Sequence, residues 1–188
     1  MFIYEFIEQI NEKYPSIDKF KPASEEMIRA YEKTIGYPLP PSFSAFLKQF
    51  SNGIFLLDCE PIGGVDKNSP CSDIRNVHDI IPDVPSQILA EETNELIEST
   101  RLISFTMFDA GDSSNNHWVF ICDDNVRNND YRVGFISQDT KKIIKILSNF
   151  EEWLKILWEY DKHGDINLPV FHVLFPTFDQ RVSLLQEK

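Results

Sequence analysis

Cysteine, basic charge and long apolar runs are all scarce in this chain, and each scarcity removes a class of function. Cys59, Cys71 and Cys122 are the only cysteines in 188 residues and none stand at Cys-x-x-Cys spacing, so neither a disulfide framework nor a thiolate zinc knuckle is expected. Lysine and arginine number 18 against 30 aspartates and glutamates, a formal charge of −12. Such a surface repels phosphate backbones, which argues against nucleic acid as a direct ligand. The same charge suits a basic protein partner, and it equally serves plain solubility. No uninterrupted apolar run approaches the roughly 18 residues of a membrane span. Residues 1–5 carry no basic segment, and Glu5 and Glu8 interrupt the apolar residues there. No secretory leader is therefore expected, and a reducing, cytoplasmic setting is the default expectation.

What the chain does have is apolar and aromatic material. Hydrophobic residues make up 42% of it and phenylalanine alone supplies 15 residues, a composition opposed to disorder. At 21.9 kDa the length suits one well-filled core, so a single domain over 1–188 is expected.

The organising stretch is Thr34-Ile35-Gly36-Tyr37-Pro38-Leu39-Pro40-Pro41. After it, Phe43, Phe46, Leu47 and Phe50 recur at i, i+3, i+4 and i+7, one face of a helix. Pro40 or Pro41 fits the first turn, where a missing N–H leaves no bond unmade, and Asn52-Gly53 ends the helix. Before the corner, Met27, Ile28, Tyr31 and Ile35 form a matching face, with Gly36 as C-cap and Ser24, or Lys21-Pro22 ahead of it, as the start. A further helix is expected over 2–14, with Phe2, Ile3, Phe6, Ile7 and Ile10 in one stripe and Pro15 as its end.

Ile54-Phe55-Leu56-Leu57 and Pro61-Ile62-Gly63-Gly64-Val65 read as a hairpin whose glycines allow a bulge or a close backbone approach. No Lys-Ser/Thr follows Gly63-Gly64, so it is not a phosphate loop. Asp73 is expected to cap a helical turn carrying Ile74, Val77 and Ile81, and residues 86–99 to form another helix. Strands are then expected at 102–108, 117–122, 131–136 and 142–147, joined by polar loops into an antiparallel or mixed meander. Ser148-Asn149-Phe150-Glu151 predicts a capping box, opening a helix whose Phe150, Trp153, Leu154, Leu157 and Trp158 cover the sheet. Beyond residue 161, Val170 to Phe175 reads as a further strand ended by Pro176. It covers an edge of this chain or pairs with another subunit; both readings stay open.

Several of these marks together resemble the SMI1/KNR4, or SUKH, superfamily. They are Ile35-Gly36-Tyr37-Pro38-Leu39-Pro40, then Phe43, Phe46-Leu47 and Asn52-Gly53-Ile54. Later come Leu102-Ile103-Ser104-Phe105, Gly111-Asp112, Trp118 to Cys122, and Ser148-Asn149-Phe150-Glu151-Glu152-Trp153-Leu154. The resemblance spans about residues 24–158 and leaves 161–188 as a C-terminal extension. The chain departs from the family pattern after Gly111-Asp112, where Ser113-Ser114-Asn115-Asn116 lengthens the loop. The resemblance implies an α+β fold with N-terminal helices packed on a mainly antiparallel sheet and a closing C-terminal helix. It also implies an immunity protein that binds and neutralises a bacterial polymorphic or contact-dependent toxin, often a nuclease, without chemistry of its own.

The expected contact set for such a partner, a basic toxin domain, is Asp58, Glu60, Asp109, Asp112, Trp118, Asp123 and Asp124, at turns and sheet ends. Two other classes stay in view. One is a non-catalytic regulatory or scaffolding module, as in eukaryotic relatives. The other is a small-ligand or metal-dependent enzyme, for which Asp109, Asp112, Asp123 and Asp124 with His117 and His78 offer hard-cation ligands. Aspartate also favours turns for its own backbone bonds, so no metal and no cofactor are expected. No nucleophile elbow or local cysteine motif joins Cys59, Cys71 or Cys122 to His78, His117, His163 or His172, and Cys122 reads as a small buried hydrophobe. Self-association stays open.

Overall fold

The computed structural model describes residues 2–56, 60–69, 73–106, 117–123, 130–137 and 139–163. Helix α1, Phe2–Lys13, buries Ile3, Phe6, Ile7 and Ile10, the stripe expected from the sequence. Helix α2, Glu25–Ile35, is capped by Ser24, whose hydroxyl accepts the Met27 N–H, and closed by Gly36 at φ +82°. Only a residue free of a Cβ penalty takes that left-handed position readily. Of the expected α2 face, Ile28 is buried while Met27, Tyr31 and Ile35 stay half-exposed; this helix forms the outer wall. Helix α3, Pro41–Gln49, carries Pro41 as its first residue. The corner between α2 and α3 has a tie that the sequence does not announce: the Glu32 carboxylate accepts the Leu39 N–H at 2.8 Å. At the open end of the pair, Lys48 Nζ meets Glu25 at 2.8 Å and the Ala23 N–H donates to the Leu47 carbonyl at 2.9 Å, so the two helices run antiparallel.

A hairpin follows, with β1, Ile54–Leu56, against β2, Glu60–Ile62. The remaining strands are β3 (Arg75–Asn76), β4 (Gln87–Ala90), β5 (Glu95–Glu98), β6 (Leu102–Ser104), β7 (His117–Ile121), β8 (Arg132–Ser137) and β9 (Lys142–Leu147). They make one sheet in the order β3-β6-β7-β8-β9-β4-β5, antiparallel except where β4 runs parallel to β9. The meander from β6 to β9 is as expected. Two earlier expectations give way. Residues 86–99 are a hairpin rather than a helix: Ile88 pairs with Ile97 and Leu89 with Leu96 across the turn, and Asn94 takes φ +54° in that turn. Asp73 caps nothing helical; the short turn Val77–Asp79 is capped by Asn76, which accepts the His78 N–H. Asp73 is instead buried, accepting from Tyr31 Oη at 3.0 Å and from Arg75 Nε at 2.9 Å. It ties α2 to the segment entering the sheet.

Because β5 and β6 stand far apart in the sheet order yet are joined only by the short turn Ser99–Arg101, the two edges of the sheet must come close together. The sheet therefore curls. The Ser99 N–H reaches the Ser86 carbonyl at 2.9 Å and Asn76 Nδ2 the Thr100 carbonyl at 2.8 Å. Inside the curl Val77, Ile88, Ala90, Ile97, Val119, Ile121, Ile136 and Ile143 form a second apolar cluster. The hairpin is also clamped by charge, Lys142 to Glu91 at 2.8 Å and Arg132 to Glu95 at 2.9 Å, with Lys145 on Glu92.

The other sheet face carries the main core. Helix α4, Phe150–His163, lays Phe150, Trp153, Leu154, Leu157 and Trp158 on it. Its cap lies one residue beyond the expected one. Asn149 Oδ1 accepts the Glu152 N–H at 2.9 Å and the Glu152 carboxylate returns to the Ser148 N–H at 2.6 Å. Glu151 instead accepts the Ile3 N–H at 3.2 Å, serving the start of α1. Phe43 sits 5.0 Å from both Phe120 and Phe150, and Phe105 stacks on Phe120 at 4.4 Å. Each well-oriented aromatic pair adds ~0.5–1.5 kcal/mol beyond its buried area, so this cluster locks helices and sheet into one packing.

Candidate partner-binding surface

The sequence-derived contact set divides on inspection. Asp58, Asp109, Asp112 and Asp124 lie outside the described residues, and Glu60 is placed only as backbone in β2. Trp118 is a correction: at 1% exposure it lies in the main core, its ring 4.9 Å from Phe135 and 6.2 Å from Trp153. Strand β7 is buried along its whole length, because α4 covers one face and the curled hairpin the other. No alternation therefore marks which side of it meets solvent, and Trp118 is withdrawn from the surface.

Asp123 is near the surface but already engaged, its Oδ2 accepting from Arg132 at 2.7 Å. Arg132 also grips Glu95 at 2.9 and 3.2 Å. Hydrogen bonding to that guanidinium holds the Glu95 carboxyl below its usual range, and the two carboxylates hold Arg132 above its own. Asp123 is thus already paired where it stands, sharing the single positive charge of Arg132 with Glu95.

Strand direction also separates the acids. Asp109 and Asp112 fall between Thr106 and His117, at the start of β7, whereas Asp123 follows its end at Ile121. Those ends are ~13 Å apart at ~3.3 Å per residue. The β1–β2 hairpin joins the first end: Ile62 bridges to Thr106 and the Gly63 N–H donates to the Phe105 carbonyl at 2.8 Å. The flanks of Asp58, Glu60, Asp109 and Asp112 therefore converge at one end of the sheet, and Asp123 belongs to the other.

One surface residue escaped the sequence reading. Phe55, on β1, is 50% exposed, while Ile54 and Leu56 beside it are buried. The signal was available in the alternation of an apolar triplet, which must turn its middle member outward when one face is covered.

The groups considered for chemistry are otherwise occupied. His117 is buried, its Nδ1 hydrogen-bonded to the Thr106 carbonyl at 3.1 Å, and burial pushes its imidazole pKa down. His78 Nε2 lies 2.8 Å from Ser99 Oγ, but that hydroxyl is wholly buried and donates to the Ser86 carbonyl at 3.0 Å, so the pair joins two turns of the fold. Burial and the neighbouring Asp123 push the Cys122 thiol far up, away from the reactive thiolate. Among the described residues no three of His, Cys, Asp and Glu gather as metal ligands, and no helix among them is long and apolar enough to cross a membrane.

With this geometry in hand, comparison with known families finds that the model described as the SMI1 / KNR4 family (SUKH-1) matches residues 22–156. The span opens just ahead of α2 and ends inside α4, leaving α1 outside. Comparison with curated proteins returned no match.

Proposed function

The chain belongs to the SMI1/KNR4 (SUKH-1) family, and on that premise we propose that it is an immunity protein, which binds and neutralises a cognate bacterial polymorphic or contact-dependent toxin, a nuclease by preference. The family match carries this reading. Neutralisation is by occlusion: the chain covers the toxin's active site or the surface beside it, and makes or breaks no bond. A charge of −12 supports a basic partner, since it steers such a surface into encounter and mimics the charge of a nuclease's substrate. The contact set is Asp58, Glu60, Asp109 and Asp112, with Asp123 and Asp124 as a separate acidic end. The chain acts as one cytoplasmic domain, with residues 161–188 as its extension.

Co-expression with the toxin domain encoded beside its gene is expected to restore growth. Purified chain should bind that domain with an association rate that falls steeply as salt is raised toward about 0.5 M. Absence of both protection and binding would end the immunity reading. Tight binding indifferent to salt and to Asp58→Lys/Glu60→Lys would leave that reading standing and remove the acidic contact set.

A further inference from the structure

Single exposed hydrophobic side chains are ordinary on protein surfaces, and Tyr4 and Leu96 are two here. Phe55 differs in how it is mounted. Its cross-strand partner is Pro61, and directly opposed residues share a face, so ring and pyrrolidine point outward together. The root of the hairpin is fixed on both sides. The Gly63 N–H is bonded to the Phe105 carbonyl, the Ile74 N–H to the Gly64 carbonyl at 3.0 Å, and the Val65 N–H to Asn52 Oδ1 at 2.8 Å. Ile54, Leu56 and Ile62 anchor the inner face in the core. An aromatic ring on so firm a base loses little conformational freedom on binding.

We infer that the outward Phe55–Pro61 face of the β1–β2 hairpin is the apolar anchor by which this chain docks, and that its occupant is a cationic protein surface with an apolar pocket for the ring. The inference rests on the immunity reading and names the hydrophobic contact that Trp118 cannot supply. Charge selects the occupant. Between Lys48 and Lys67 the chain carries Asp58, Glu60 and Asp66 and no basic residue. A second copy would bring these acids against themselves, in two molecules each of charge −12. Nucleic acid and anionic bilayers are repelled in the same way. A pocket rimmed by lysine or arginine is attracted, and expulsion of water around a centrally placed aromatic then supplies the hold.

The test measures binding of the full chain to the toxin domain encoded beside its gene, for wild type, Phe55→Ala and the control Leu96→Ala. Phe55→Ala is expected to weaken binding on the order of thirtyfold, mainly through faster dissociation, while Leu96→Ala stays within about twofold. Oxidative footprinting of the wild-type complex should show Phe55 losing reactivity, a readout that does not depend on the variant folding. Wild-type binding with an unaffected Phe55→Ala, or with Phe55 still reactive in the complex, overturns the anchor alone. Failure of the wild type to bind overturns the immunity reading and the anchor with it.

Discussion

Replacing Gly64 by alanine tests a close approach of two backbone segments. A Cβ there would stand 2.6 Å from the carbonyl and side-chain oxygens of Asn52 and 2.8 Å from its carbonyl carbon. Ordinary contact begins near 3.4 Å, so the two segments must part by roughly 0.8 Å, the difference from 2.6 Å. Neither is free to move. Asn52 is fully buried and holds the Val65 N–H at 2.8 Å, while the Gly64 carbonyl holds the Ile74 N–H at 3.0 Å. Overpacking at such a site costs ~1–3 kcal/mol, and a buried hydrogen bond broken in relieving it a further ~1–3 kcal/mol. Partial relaxation lets these overlap, giving ~2–4 kcal/mol and, for a chain of this size, a melting temperature lower by roughly 5–15 °C.

Gly36 is the internal reference. Nothing lies within 4 Å of a Cβ there, but φ is +82°, so Gly36→Ala should lose only the ~1–2 kcal/mol of a left-handed non-glycine residue. Urea unfolding followed by the fluorescence of the buried Trp118, Trp153 and Trp158 measures both, with unchanged slopes showing that the surface exposed on unfolding is the same in each variant. A Gly64→Ala protein as stable as wild type, or losing less than Gly36→Ala, would refute the argument.

Other expectations follow from the same contacts. Asn149→Ala should cost ~1 kcal/mol as the loss of the α4 cap, and Ser148→Ala only a few tenths; the reverse order in urea midpoints would restore the serine cap. Burial depresses the His117 pKa from 6.5, so the unfolded chain binds that proton first. This contribution is complete above about pH 6.5 and is lost as pH falls below it. Below about pH 6.5, His117→Gln should flatten the dependence of the urea midpoint on pH, and an unchanged slope would contradict the assignment. Arg132→Ala releases Glu95 and Asp123 from partly exposed pairs and should cost ~1–2 kcal/mol at low salt. The deficit should shrink in about 1 M salt; a salt-independent deficit would mean packing, not charge, is what Arg132 contributes.

The chain's local order is written in its sequence wherever one period dominates. The stripe of α1, the Ser24 and Gly36 caps, the proline entry to α3 and the strands of the β6–β9 meander depend on neighbours a few residues away, which the sequence supplies directly. Three places defeated such reading. Asp73, whose place before Ile74 suggests a cap, is instead bound by Arg75 and by Tyr31 from α2. Ile88-Leu89 and Leu96-Ile97 fit neither a period of two nor one of 3.6, because they are cross-strand partners reflected about a turn. At 148–152 two good caps precede two glutamates, and only the approach of α1, whose Ile3 N–H takes Glu151, decides which pair caps α4.

Sequence alone thus determined the helices α1 to α4 and the β6–β9 meander, though not the segments 73–81 and 86–99, together with the aromatic wealth of the core and the family. Tertiary structure decided which surfaces remain. It put Trp118 inside by covering β7 on both faces, paired Asp123 with an arginine from the next strand, brought the β1–β2 hairpin to the start of β7, and left Phe55 outside. The physical reason is range. Backbone propensity and capping act over a turn or a strand, whereas burial depends on what distant segments the fold lays across a residue.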